Sequence, residues 1–371
     1  MDELSARLAC HRLCLPNTRL AKALVHFGSA NALLQSDTEA LCQFFRKQDL
    51  EKIKHWRTNK SDIADDLSND RQLLVELGVE LIAITDDVYP PLLREIPDPP
   101  PLLYIQGNVS TLKNPQIAIV GSRKMTPQGG KLSHSFSSAL AKAGLTITSG
   151  LALGIDSAAH RGALDAGAST IAVLGTGIDG RYPRSNRGLH DEIAASGGVL
   201  VSEYLIGTPP RGANFPKRNR IITGLSMATL VVEASEKSGS LVSARLAAEQ
   251  GRQVFAIPGN LSSPASAGCH NLIREGAALV TAPKQIVEDL GAMLDVVLGT
   301  MITECSPTED IGRAERQDEH WLLSALGQEC LGLEALCDRC DQPAQDVAAA
   351  ISHFELSGVI SASAFGYQRV N

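Results

Sequence analysis

Between residues 116 and 283 the chain repeats one pattern: a short apolar run, a turn, then a segment of helix length. The runs fall at 117–120, 145–148, 170–174, 199–202, 230–232, 253–257 and 278–281. Each is nearly continuously hydrophobic, as in strands covered on both faces. Strands separated by helices pair in parallel through crossover connections, so the expected fold class is α/β, a doubly wound and mainly parallel sheet. Ligands of such sheets bind at the carboxyl ends of the strands, which predicts where to look for function.

The flanks follow other rules. In the first sixty residues Leu20, Leu24 and Phe27, then Leu33, Leu34, Leu41 and Phe44, stand at helical spacing between Pro and Gly breaks, predicting a bundle of short helices. The stretch from Leu15 to Gly28 resembles a helix-hairpin-helix unit with Leu-Pro-Asn in place of the glycine-rich hairpin, and packing is the favoured reading over backbone binding. Residues 86–101, rich in Pro and Asp, read as an extended lead-in that blocks helix formation and opens a new domain. After a linker at 291–312, helical segments near 316–326, 331–340 and 343–357 and a hairpin over 358–370 suggest a winged-helix module.

With 371 residues, 44% hydrophobic and 20% charged, the chain is large enough for two or three domains. Residues 1–20 carry charges throughout, and no uncharged run approaches the length of a membrane span, so a cytoplasmic protein without a membrane partner is expected. Of eight scattered cysteines only Cys337-Asp-Arg-Cys340 has metal spacing, and without a second pair it predicts neither metal nor cofactor.

The net charge of −7 conceals a basic centre: +4 over residues 1–60, −7 over 61–115, +5 over 116–290 and −9 over 291–371. Between Glu203 and Glu233 lie Arg211, Lys217, Arg218 and Arg220 and no acid. Most of these charges sit in Asn214-Phe-Pro-Lys-Arg-Asn-Arg-Ile-Ile222, around one ring, Phe215, with the amides of Asn214 and Asn219 beside it. Such an island suits a phosphate backbone whose bases can stack, and the bland alternative is a solvated helix start.

Four turns at strand ends add to it. Gly121-Ser122-Arg123-Lys124 precedes a helix beginning near Pro127, in a stretch with no acid between Asp98 and Asp156. Gly121 admits close approach, Ser122 and the helix start offer donors, and Arg123 can fork onto phosphate. In the second turn, Ser149-Gly150-Leu-Ala-Leu-Gly-Ile-Asp156, the acid reads as an N-cap; a catalytic pairing with His160 lacks a convincing nucleophile. The third, Gly175-Thr-Gly-Ile-Asp-Gly180, is a literal GxGxxG, but Arg181-Tyr182-Pro183 follows where a dinucleotide fold needs a helix, and Glu203 is as suited to capping as to binding a ribose. The fourth, Ser238-Gly239-Ser240, opens a helix and reads as an anion site or a simple cap, with Asn260 ending the next strand at the same edge. The set describes a binding surface more than a reaction centre.

Val120-Gly-Ser-Arg123, Ser149-Gly-Leu-Ala-Leu-Gly-Ile-Asp-Ser-Ala-Ala-His160, Gly177-Ile-Asp-Gly-Arg-Tyr-Pro183, Ser202-Glu-Tyr204, the 214–222 motif, Ser238-Gly-Ser240 and Pro258-Gly-Asn260 together resemble the bacterial DNA-processing protein A family (DprA, or Smf). The resemblance implies a SAM-like helical domain at 1–85, an extended Rossmann-like core at 86–290, the linker at 291–312 and a winged helix at 313–371. It also implies single-stranded DNA binding, homodimerisation through the core, and loading of the RecA recombinase on incoming strands in natural transformation, with no firm catalytic activity.

By position Ser122 and Arg123 match the family's Gly-Ser-Arg loop, and Phe215, Lys217, Arg218 and Arg220 its basic motif. The expected DNA-binding set is these six with Gly121, Lys124, Gly150, Arg211, Asn214, Asn219, Ser238, Gly239, Ser240 and Asn260. The alternative is a phosphoribohydrolase-like enzyme; its Pro-Gly-Gly-x-Gly-Thr loop is replaced here by Ser-Glu-Lys-Ser-Gly-Ser at 235–240. Residues 343–356 hold no Lys or Arg, so the C-terminal module is expected to contact protein and not to read DNA.

Overall fold

The computed structural model describes residues 1–58 and 63–291 and, further on, 325–326, 331–340, 347, 350–351, 360–363 and 366–369. The chain divides into two compact units, Met1–Leu298 and Gly299–Asn371.

All seven apolar runs of the first unit are strands: β3 (Gln116–Val120), β4 (Thr146–Ser149), β5 (Thr170–Val173), β6 (Val199–Ser202), β7 (Ala228–Val231), β8 (Gln253–Ala256) and β9 (Ala278–Leu279). Two further strands, β1 (Val79–Ala83) and β2 (Leu102–Gly107), precede them. The nine form one sheet in the order β1-β2-β6-β5-β4-β3-β7-β8-β9. From β6 through β9 all neighbours are parallel, and β2 joins β6, and β1 joins β2, antiparallel. The chain winds outward from β3 in one direction through β4, then returns to place β7 on the other side. The carboxyl ends of β3 and β7 therefore flank the topological switch point, where a crevice opens.

The β1–β2 pair is the part of the sheet that the alternating pattern did not announce. β1 lies on the N-terminal side of the expected boundary at residue 85, yet it is a strand of the core sheet. An antiparallel pair needs no crossover helix, so it leaves no β-then-α signature. The Pro-rich lead-in also contains one turn of helix, α7 (Pro91–Arg94), because proline is tolerated at a first helical position.

Successive residues of β3 face opposite layers. Ile117 and Ile119 pack with Phe136 and Leu140 of α8 (Pro127–Lys142) and Ile155 and Ala159 of α9 (Ile155–Asp165). Ala118 and Val120 join the other layer, with Leu189 and Ile193 of α10 (Arg187–Ala195) and Ile221 and Ile222 of α11 (Asn214–Leu225). Helices α12 (Ser240–Glu249) and α13 (Ala267–Arg274) follow β7 and β8.

The N-terminal helices are α1 (Glu3–Arg12), α2 (Asn17–Phe27), α3 (Ala30–Gln35), α4 (Thr38–Leu41), α5 (Lys47–Thr58) and α6 (Ala64–Leu77). Leu20, Leu24, Leu33, Leu34 and Leu41 are buried as their spacing predicts, and this core is continuous with the α11 face of the sheet. The His11 ring stacks on Tyr104 of β2, with Nδ1 3.0 Å from the phenol oxygen.

In the second unit the described elements are the helix Leu333–Cys340 and an antiparallel hairpin, Ile360–Ser363 with Gly366–Arg369, at the places where the winged-helix expectation puts a helix and the hairpin. Leu326, Leu336, Val347, Ile351 and Ile360 are its buried core. The helices expected near 316–326 and 343–357 fall largely outside the described residues. Among the described residues no helix is long and apolar enough to cross a membrane.

Candidate nucleic-acid interface

Helix α11 distributes the basic motif in three directions, and burial decides the role of each cation. Arg218 points inward and is 3% exposed. One of its terminal nitrogens, Nη1, donates to the carbonyl of Val173 and, at 2.9 Å, to that of Gly150. Burial pushes its pKa down to about 10, opposed by the nearby Asp156, so it remains a cation at neutral pH. Arg220 faces Glu203 and Asp98 at 7% exposure, while the side chain of Lys217 is 46% exposed.

Arg220, expected on the DNA surface, is an interior bridge. It donates through both terminal nitrogens to Glu203, at 2.8 and 3.2 Å, and through Nε to Asp98 at 3.0 Å. Burial opposes its charge, and the two carboxylates outweigh burial and raise its pKa. Glu203 is thus a structural counter-ion, and neither a ribose ligand nor a local cap. Lys217 sits 3.6 Å from the same carboxylate and 6.0 Å above the Tyr204 ring.

The crevice is a cavity of about 640 Å³ at the switch point. Gly121, Ser122, Arg123 and Lys124 line it from the end of β3, Phe215, Arg218 and Asn219 from α11, and Ser238, Gly239 and Ser240 from the start of α12. Ten residues separated by more than a hundred positions are therefore brought to one site. The Arg123 guanidinium lies 5.7 Å from the centroid of Phe215, within cation–π range. The ring itself packs against Gly175, where an added Cβ would come within 2.7 Å of Phe215 Cδ1.

The other expected residues lie apart. Gly150 lines a smaller recess of about 70 Å³ behind Phe215. Asn214 donates to the Gly175 carbonyl at 3.1 Å and its own carbonyl accepts from the Tyr204 hydroxyl at 3.1 Å, which fastens the start of α11. Arg211 and Asn260 are exposed and outside the cavity lining. In the serine loop, Ser238 Oγ accepts from Ser240 N at 3.3 Å and meets Ser240 Oγ at 2.7 Å, while Gly239 is the N-cap of α12, which has no side-chain cap.

Tyr182 belongs to this surface and was missed. It is 43% exposed, and its ring centroid is 5.3 Å from that of Phe215. The available signal was an aromatic between Arg181 and Arg184 in a turn that failed to become a helix.

The catalytic reading of Asp156 and His160 finds no support in the geometry. Gly154, not Asp156, is the N-cap of α9. The Asp156 carboxylate accepts from the amides of Gly150 at 3.2 Å and Ala152 at 3.4 Å; burial raises its pKa, with Arg218 opposing. His160 is fully buried, with Nδ1 2.8 Å from Thr170 Oγ1, and burial, reinforced by the Arg218 charge, pushes its pKa down to about 3.

A switch-point cavity with the buried Arg218 in its floor, the half-buried Phe215 ring in its wall and the exposed Tyr182 ring beside it defines an α/β protein suited to an anionic ligand that carries planar bases. Within that class the chain belongs to the DNA recombination-mediator protein A family, whose profile matches residues 80–291, starting inside β1. A second profile, the DprA winged helix domain, matches residues 306–364. The chain is similar to protein Smf of Escherichia coli K12, 41% identical over 294 residues, 78% of this chain and 77% of that one. It is also similar to DNA processing protein DprA of Streptococcus pneumoniae, 47% identical over 56% of this chain and 73% of that one. The X-ray structure of the S. pneumoniae protein matches with a TM-score of 0.68 at 37% identity, over 78% of this chain and 98% of that one. A Helicobacter pylori DprA structure, described for its single-stranded DNA binding mode, matches with a TM-score of 0.52 at 31% identity, over 57% and 95%.

Proposed function

We propose that this protein holds single-stranded DNA in the switch-point cavity, protects it, and helps load the RecA recombinase on it in natural transformation, without performing bond chemistry. The observation that carries this reading is the placement of Arg123 over Phe215 in a cavity that Lys124 and Arg218 also line, with Asp156 as the one acid in that lining. Phosphates meet Arg123 and Lys124, and bases stack on Phe215 and Tyr182. Binding of this kind is salt-dependent and nearly indifferent to sequence. The single-stranded DNA binding of the H. pylori relative supports the ligand class.

The protein works as a cytoplasmic homodimer joined through its core, and its acidic winged helix contacts protein. Glu203 is held by Arg220, and one oxygen of Asp156 is held by the amides of Gly150 and Ala152, which supports a structural role for both acids. The test is a mobility shift with an unstructured oligonucleotide. Arg123→Glu should abolish the shift while the circular dichroism spectrum stays unchanged. An unaltered shift overturns the site, and release of base from labelled nucleotides by the wild type overturns the non-enzymatic reading.

A further inference from the structure

Glu233 stands two residues beyond the end of β7 and is 5% exposed, although it borders a site for an anionic ligand. Its backbone carbonyl accepts from Ser122 N at 2.7 Å. Its carboxylate accepts from Thr126 N at 3.0 and 3.2 Å and from Thr126 Oγ1 at 2.6 Å. That hydroxyl in turn accepts from Gly129 N at 3.0 Å and caps α8. The carboxylate lies so close to the first turn of α8 that a Cβ on Gly129 would fall 2.2 Å from Glu233 Oε2. One residue thus grips both ends of the segment from Ser122 to Thr126, and Arg123, Lys124 and Met125 between the grips are exposed. A carboxylate at a helix start is also favoured by the helix dipole.

We infer that Glu233 is a positioning residue for the DNA site: by closing the Arg123 loop at both ends it fixes where that arginine meets the strand. The inference rests on the proposed DNA-binding reading. The sign of the effect separates it from a bystander role. Neutralising a bystander acid beside an anionic ligand tightens binding, whereas loosening the Arg123 loop weakens it.

The experiment measures fluorescence anisotropy of a labelled oligo(dT) with the full-length chain over a potassium chloride series. Glu233→Ala should bind about tenfold more weakly, with the slope of log K against log salt reduced by about 0.7, the share of one phosphate contact. Glu233→Gln, which keeps an acceptor for Thr126 N, should return affinity to within about threefold of wild type. Arg123→Ala combined with Glu233→Ala should be no weaker than Arg123→Ala alone. If Glu233→Ala does not fold, Thr126→Val removes the hydroxyl half of the grip and should show the same two effects at smaller amplitude. Binding by the Glu233 variant at or above wild-type affinity, or full additivity in the double variant, overturns the inference. Wild-type affinity in Arg123→Ala instead overturns the site, and the inference with it.

Discussion

Arg220 and Glu203 form a bidentate ion pair, Nη2 to Oε2 at 2.8 Å and Nη1 to Oε1 at 3.2 Å, beneath the exposed face of α11. Glu203 also accepts from Asn17 Nδ2 at 3.0 Å, and Asp98, the other partner of Arg220, accepts from Thr18 Oγ1 at 2.9 Å. Two consecutive residues at the start of α2 are therefore tied through two acids to one arginine of the helix that carries Phe215. The motif that looks like a single cluster of DNA-binding charge is a fold contact at one position and a pocket floor at another.

Arg220→Ala leaves Glu203 buried without its bidentate partner. Breaking such a pair costs about 3–5 kcal/mol, so urea unfolding should show a large drop in midpoint. DNA affinity of the folded fraction should change by less than about twofold. A loss of DNA binding with full stability would return Arg220 to the interface.

Lys217→Ala should behave in the opposite way. Its side chain is half-exposed and its ion pair is long, so the expected stability change is below about 1 kcal/mol. Anisotropy should show a salt slope lower by at most about 0.7, one phosphate contact.

Phe215→Ala and Tyr182→Ala remove stacking surface and leave charge untouched. Each should weaken binding by about 1–3 kcal/mol at constant salt slope. A changed slope in either variant would mean that the rings hold cations in place and do not stack bases.

His160 predicts acid sensitivity. Its pKa falls from 6.5 in the unfolded chain to about 3 in the folded one, so between those values the unfolded state binds the extra proton. Stability from the neutral imidazole is complete above about pH 6.5 and declines as pH falls towards 3. Urea midpoints measured from pH 7 to pH 4 should decline less in His160→Asn than in wild type.

The sheet was legible because its central parallel strands are covered on both faces, which writes continuous apolar runs such as 117–120 and 171–174 into the chain. The convergence of Arg123 with Ser238 followed from the same rule, since both loops end strands on one edge. The direction of each cation on α11 was not legible: Lys217, Arg218 and Arg220 fall within one turn of helix, and only the neighbours supplied by Gly150, Val173, Asp98 and Glu203 decide which is buried. Tyr182 escaped for a related reason, because its partner ring is 33 positions away and meets it only through the packing of Phe215 on Gly175.

The most direct measurement is photocrosslinking of an oligonucleotide carrying 5-iodouracil at single positions to the full-length protein, followed by peptide mapping. The account predicts adducts on Phe215 or Tyr182, lost on excess unlabelled single strand. Adducts confined to the winged helix or to the N-terminal helices would contradict it.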